Sequence, residues 1–264
     1  MVDQTWADPR LTPGTELVPE MDLPEPGAQR RWTVLLRWLL VIPQLIVLTV
    51  LSIVGCFAVI FGWFAALVLG RLPGPVHGYL AGLLVYETRV HSYAMLLVDR
   101  YPPFGFDAPE YPVQVEVHQG ELNRLAVLFR LILMIPAAIV QSLVTSGWYA
   151  FSFITWVITL VLGRMPLPLF QATAATARFA MRFSAYSSLL TAAYPKRLFG
   201  DEALALPEHR SASRPLQLSG GAQLLVVLFL ILGLASGTVS SFVQTDNGNP
   251  TITNSYSQGS APRR

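Results

Sequence analysis

The sequence predicts an all-α membrane protein: two tandem transmembrane helical hairpins, each followed by an amphipathic interfacial helix, then a fifth transmembrane helix near the C-terminus, with small cytoplasmic β-strands between the units. Three observations predict it. Of 264 residues, 53% are hydrophobic and 13% charged, outside the usual balance of a globular chain. Residues 32–69 and 125–163 are apolar runs with one charged residue each, Arg37 and Arg130. Both runs belong to a duplicated unit. At an offset of 93, Arg31, Arg37, Ile42-Pro43, Trp63, Gly70-Arg71, Pro73, Arg89, Tyr93 and Tyr101-Pro102 reappear as Arg124, Arg130, Ile135-Pro136, Trp156, Gly163-Arg164, Pro166, Arg182, Tyr186 and Tyr194-Pro195. Arginines, prolines and a tryptophan kept in register over such a length mark one structural unit written twice.

The elements follow in order. Residues 1–29 carry six acids against Arg10 and several prolines, the opposite of a basic signal-peptide start, and read as an acidic tail. Repeat unit 1 occupies 30–106. As one straight helix its apolar run of 38 residues reaches roughly 57 Å, against a hydrocarbon core of about 30 Å. The expectation is therefore a hairpin of helices near 32–51 and 55–70, bent at Thr49, Ser52 and Gly55. Repeat unit 2, residues 124–200, predicts helices near 125–142 and 147–163, bent at Gln141, Ser142, Thr145, Ser146 and Gly147.

The segments 76–98 and 169–192 are long enough to span, yet Glu87, Arg89 and His91 stand in the first and Arg178 and Arg182 in the second. Central charges cost about 2.5 to 3.5 kcal/mol each on the insertion scale. Tyr86, Val90, Tyr93 and Leu97, matched by Phe179, Phe183, Tyr186 and Leu190, form one helical stripe. An in-plane interfacial helix is the expectation. Two crossings per unit keep all arginine clusters on one side, as the positive-inside rule prefers.

In the linker 107–123, Tyr111, Val113, Val115 and Val117 alternate with polar residues, the pattern of a strand with one buried face. A lone strand leaves its backbone groups unpaired. The segments before the three membrane modules, marked by Pro19 and Gly27, by Pro112 and Gly120, and by Pro215, are expected to pair into a small sheet. A cytoplasmic linker, 201–221, precedes the fifth helix, 222–243. Gly233 and Gly237 in that helix have a close-packing spacing that suits within-chain packing or a homo-oligomer. Residues 244–264 form a polar tail. Five crossings place the N-terminus in the cytoplasm and the C-terminal tail outside.

Chemistry leaves little trace. The single Cys56 lies in an apolar run, and His77, His91, His118 and His209 are scattered with no metal-ligand spacing. No cofactor, metal site or catalytic group is expected. Glu87 has the apolar counterpart Ala180, with Arg89 two residues on to neutralise it. The Gly-Arg-x-Pro turns lack the Lys-Ser/Thr of a phosphate loop and read as helix stops.

Together these landmarks resemble the DUF4389 family (domain of unknown function) of bacterial integral membrane proteins. The resemblance is carried by Arg-x5-Arg-x4-Ile-Pro, Gly-Arg-x-Pro, the Arg/Tyr segment and Tyr101-Pro102-Pro103-Phe104, which in the second copy becomes Tyr194-Pro195-Lys196-Arg197. It implies a location in the bacterial cell (inner) membrane and supplies no activity.

Charge is the remaining signal. From Leu122 to Gly200 seven basic residues stand with no acid. The expected role is a non-enzymatic scaffold or accessory subunit whose basic cytoplasmic face binds anionic lipid head groups or an acidic partner, and not nucleic acid. Its candidate residues are Arg37, Arg71, Arg89, Arg130, Arg164, Arg178, Arg182, Lys196 and Arg197. The alternative is a small-solute transporter or channel built on the repeat.

Overall fold

The computed structural model describes residues 18–117, 120, 122–200 and 216–246. It is mostly helical. Strand β1 (Glu20–Asp22) is followed by α1 (Arg31–Leu35), α2 (Arg37–Leu69), α3 (Gly74–Ala94), β2 (Gln114–Glu116), α4 (Arg124–Leu128), α5 (Arg130–Leu162), α6 (Leu167–Ser187) and α7 (Gly220–Asp246). The helices of the second repeat start and end 93 residues after those of the first.

The expected hairpins inside the apolar runs do not form. α2 and α5 are each one continuous helix of 33 residues, roughly 50 Å along the axis. The polar residues taken for bends are satisfied without breaking the helix. Thr49 Oγ1 donates to the Leu45 carbonyl at 2.7 Å, Ser146 Oγ to the Ser142 carbonyl at 2.7 Å, and Gln141 Nε2 to Thr145 Oγ1 at 2.8 Å, the i−4 bonding open to hydroxyls in a helix. Gly55 and Gly147 are notches: a Cβ on Gly55 would lie 2.6 Å from Leu83 Cδ2, and one on Gly147 would overlap the Phe229 carbonyl. The chain reverses one step later. Gly70 (φ 73°) and Gly163 (φ 68°) close α2 and α5 in the left-handed conformation, which glycine adopts without a Cβ clash. Pro73 and Pro166 then begin the return helices.

α2 and α5 are long and apolar enough to cross a membrane, and only 17% and 22% of their most apolar windows are buried. α7 contributes a shorter apolar stretch, Gly220–Ser236. Among the described residues the five expected crossings therefore reduce to these two full-length candidates.

α3 packs antiparallel on α2. Tyr79 Oη donates to the Leu51 carbonyl at 2.8 Å, Tyr86 to Gln44 Oε1, and Arg37 to the Tyr93 carbonyl at 2.6 Å. The expected stripe of α3 exists, with Tyr86, Val90 and Tyr93 fully buried, but it faces helices and not a membrane surface. α6 departs further from the interfacial expectation. It touches α3, α5 and α7, and its alanines and threonines are buried on most sides, because small side chains let neighbouring helices close in.

β1 and β2 pair antiparallel, Met21 opposite Val115, so two of the three segments expected to form a sheet do so. The third, Leu216–Ser219, is not a strand.

The repeats interlock at both ends. Gln29 N–H donates to the Gly163 carbonyl at 2.8 Å, and its counterpart Leu122 N–H to the Gly70 carbonyl at 2.9 Å. Trp63 Nε1 reaches the Val127 carbonyl at 3.0 Å, and Trp156 Nε1 the Val34 carbonyl at 2.8 Å. Every partner in one bond is the 93-residue equivalent of a partner in the other. The start of each repeat thus caps the end of the other's long helix, satisfying carbonyls a helix C-terminus leaves open. This pseudo-two-fold arrangement makes neither repeat complete alone.

Candidate functional site

The nine predicted site residues divide by burial. Arg37, Arg89, Arg130, Arg178 and Arg182 are at most 7% exposed. Arg71, Arg164, Lys196 and Arg197 are exposed.

The buried group is built around the ends of α3 and α6. Each of these helices closes on a non-glycine residue in the left-handed conformation, Leu96 and Leu189, both at φ 63°. Leu97 N–H bonds the Ser92 carbonyl and Leu96 N–H the Tyr93 carbonyl, with Leu190 to Ala185 and Leu189 to Tyr186 in the second copy. This is a Schellman closure with leucine where glycine is usual, a strain of about 1–3 kcal/mol per residue. Surrounding structure must hold it. Leu96 and Leu189 are buried at 3% and 2%, and an arginine reaches across from the first residue of each long helix.

Arg37 is the more fully satisfied. Its Nη1 donates to the Tyr93 and Val98 carbonyls at 2.6 and 2.7 Å, and its Nη2 to Gln29 Oε1 at 3.1 Å and Asp99 Oδ1 at 3.3 Å. The guanidinium lies 4.2 Å from the Tyr93 ring centre. Arg130 repeats the stacking, 4.0 Å from the Tyr186 ring centre, and donates to the Thr191 carbonyl.

Arg89 and Arg182 hold the next loop down. Arg89 donates to the Phe106 and Ala108 carbonyls at 2.8 and 3.2 Å; Arg182 donates to the Pro19 and Lys196 carbonyls at 3.3 and 3.5 Å. Arg178 adds a bond to the Arg197 carbonyl at 3.4 Å. Tyr111, 5.8 Å from Arg89, donates to the Arg100 carbonyl at 2.9 Å, and burial pushes its phenol pKa well above the ordinary value. Glu87, paired by the sequence reading with Arg89, instead accepts from Ser184 of α6 at 3.1 Å and lies 3.9 Å from His91 Nδ1. It ties the two repeats together.

The sequence reading missed Asp99, Gln29, Gln44 and the two left-handed leucines. Asp99 carried a signal, since it is an acid whose counterpart is Ala192. The leucines carried none, because a left-handed leucine looks like any other in the letters. Among the described residues no three His, Cys, Asp or Glu side chains gather as metal ligands would. Gly233 serves packing within the chain, where a Cβ would overlap the Leu143 carbonyl of α5; Gly237 lies outside the residues whose surroundings are described.

The family profile for the domain of unknown function DUF4389 matches residues 31–105 and again 124–198. These two matches cover more than half of the chain, and their bounds fall on the starts of α1 and α4. The chain belongs to the DUF4389 family. No curated protein and no solved structure matches it. Within this DUF4389 chain the two family segments are therefore the two interlocked repeats, and the arginines shared between them, 31/124, 37/130, 71/164 and 89/182, sit at helix ends and loop anchors.

Proposed function

We propose that this DUF4389 protein is a non-enzymatic component of the bacterial cell membrane, a scaffold or accessory subunit that gathers anionic lipid head groups along a basic rim on its cytoplasmic face. The supporting observation is the outward surface of the long helices. Phe57, Phe61, Phe64 and Val68 on α2, and Ile132, Phe153 and Val161 on α5, are each at least 60% exposed. An apolar surface of that extent belongs in lipid or against a partner.

Chain length supports one-sidedness. Ala28 bridges Arg164, beside the end of α5, and is six residues from Asp22 of β1. Leu122, bonded to Gly70 at the end of α2, is six residues from Glu116 of β2. Six residues reach at most about 21 Å, while a hydrocarbon core is about 30 Å thick. With the sheet placed in water, these linker lengths favour both helix ends on the sheet's side of the bilayer. On this reading both ends of α2 and of α5 share the sheet's side, with the exposed apolar faces of these helices in the membrane. The hairpin expectation is replaced, but its consequence, basic ends gathered on one leaflet with the N-terminus cytoplasmic, is retained. α7 runs antiparallel to α5, and the C-terminal tail beyond it lies outside the described residues.

On this reading Arg71, Arg164, Lys196 and Arg197 are the head-group contacts, each contributing about 1 kcal/mol near an anionic surface, less at higher salt. Arg37, Arg89, Arg178 and Arg182, buried and bonded to protein carbonyls, serve the fold. The test is lipidomics of the purified protein. Wild type is expected to carry phosphatidylglycerol enriched several-fold over the bulk membrane, and a variant with all four exposed cations changed to Gln is expected to lose most of that enrichment. A bulk-like lipid composition in both proteins would remove the proposal.

A further inference from the structure

The duplication provides an internal control for Arg130. In repeat 1 the buried cation Arg37 has a counter-charge: Asp99 lies 3.3 Å away, with its side chain 24% exposed. Thr33 Oγ1 also donates to Asp99 Oδ1, and the Arg30 N–H reaches Asp99 Oδ2 at 3.4 Å. At the offset of 93 this acid pocket becomes Asn123, Ala126 and Ala192. The frame around it is kept, although Gln29, the other side chain that accepts from Arg37, becomes Leu122. Arg130 is 5% exposed, starts α5 as Arg37 starts α2, stacks on the equivalent tyrosine, and faces the same Schellman closure. What it lacks is the carboxylate. Among the described residues its one hydrogen bond is to the Thr191 carbonyl, where Arg37 makes four; the Nε of both arginines is without a partner. No acid exists anywhere from Leu122 to Gly200.

A buried guanidinium without a counter-charge is costly, and Arg37 shows how this fold resolves the cost. Ala126 and Ala192 are both exposed, so the position that Asp99 fills in repeat 1 is open in repeat 2. We propose that repeat 2 takes an external anion there, a phosphate group bound to Arg130 in the place that the Asp99 carboxylate occupies beside Arg37. Guanidinium donors match phosphate oxygens in geometry and charge. The source of the phosphate, a phosphatidylglycerol head group, rests on the membrane reading above; the anion site itself does not. The two repeats then divide the work: one carries its own counter-charge, the other binds one.

The experiment restores the missing acid in the full-length chain. Ala192→Asp is compared with wild type and with Ala192→Asn, which has nearly the same shape without the charge. In native mass spectrometry with phosphatidylglycerol, wild type and Ala192→Asn are expected to retain one more tightly bound lipid than Ala192→Asp. Inorganic phosphate, titrated separately while the unfolding temperature is followed, is expected to stabilise wild type and Ala192→Asn, with Ala192→Asp needing at least about tenfold more phosphate for the same shift. Equal lipid counts and equal phosphate responses in all three proteins would overturn the site. Should no lipid bind any of them while phosphate still separates Ala192→Asp from the others, the lipid proposal falls and the anion site stands.

Discussion

Arg37→Ala is expected to destabilise the protein by about 3–5 kcal/mol, and Arg130→Ala by markedly less. Removing Arg37 strips the bonds to the Tyr93 and Val98 carbonyls, which sit where the chain turns through left-handed Leu96. It also leaves Asp99 without its cation. The partly exposed carboxylate recovers some hydration, which puts the loss toward the lower end of that range. Removing Arg130 abandons the Thr191 carbonyl and the stacking on Tyr186, a loss of about 1–3 kcal/mol, and at the same time deletes an uncompensated charge. Denaturant unfolding of the two variants in the same detergent measures the difference. Equal losses would mean that Asp99 contributes nothing to holding Arg37.

The second large effect is expected from Gly147→Leu. Gly147 of α5 faces the backbone of Phe229 in α7, and four residues away on each helix Gly233 of α7 faces the backbone of Leu143 in α5. The two helices therefore approach through a reciprocal pair of glycines, so a side chain at either meets main chain that cannot swing aside. Overpacking of a core typically costs about 1–3 kcal/mol, and here the whole of α7 must move to relieve it. α7 covers α6 as well as α5, and Phe229 and Val226 are fully buried. Gly147→Leu should thus lower the unfolding midpoint and speed amide exchange in α6, whose alanine- and threonine-rich face loses its cover. Unchanged exchange in α6 would show that α7 is not part of the core.

Much of this molecule was legible in its letters, for reasons that explain where legibility stopped. The duplication, the Gly70 and Gly163 helix stops, the existence of the apolar stripe of Tyr86, Val90 and Tyr93 though not its burial among helices, and the pairing of the segments at Pro19 and Pro112 all follow from spacing and turn chemistry. The continuity of α2 and α5 did not follow, because Thr49, Ser146 and Gly55 have two physical readings. A hydroxyl or a glycine in an apolar run can mark a bend, or it can bond its own helix and seat a neighbour's side chain. Only contact with α3 and α7 decides between them. The burial of α6 was obscured by its two arginines, whose partners are backbone carbonyls and so invisible in a pattern of side chains. The interlocking of the repeats was likewise hidden, since Gln29 and Leu122 share a role through their main-chain N–H groups and not through their identity. Among the candidate cations, Arg37 lies inside an apolar run and Arg71 at a helix-stopping turn, yet both are candidates for head-group contact on the letters alone. Packing separates them, turning the first inward to hold a strained turn and leaving the second exposed.

The central claim is that both ends of each long helix lie at the same face of the membrane. In a Cys56→Ser background, single cysteines replacing Glu25, before α1, and Gly74, after α2, can be reacted in intact cells and in inverted vesicles with a membrane-impermeant maleimide. Both are predicted to be protected in cells and labelled in inverted vesicles. If Gly74→Cys were labelled from the outside while Glu25→Cys were labelled only from the inside, α2 would cross the bilayer outright, and the shared basic rim would be contradicted.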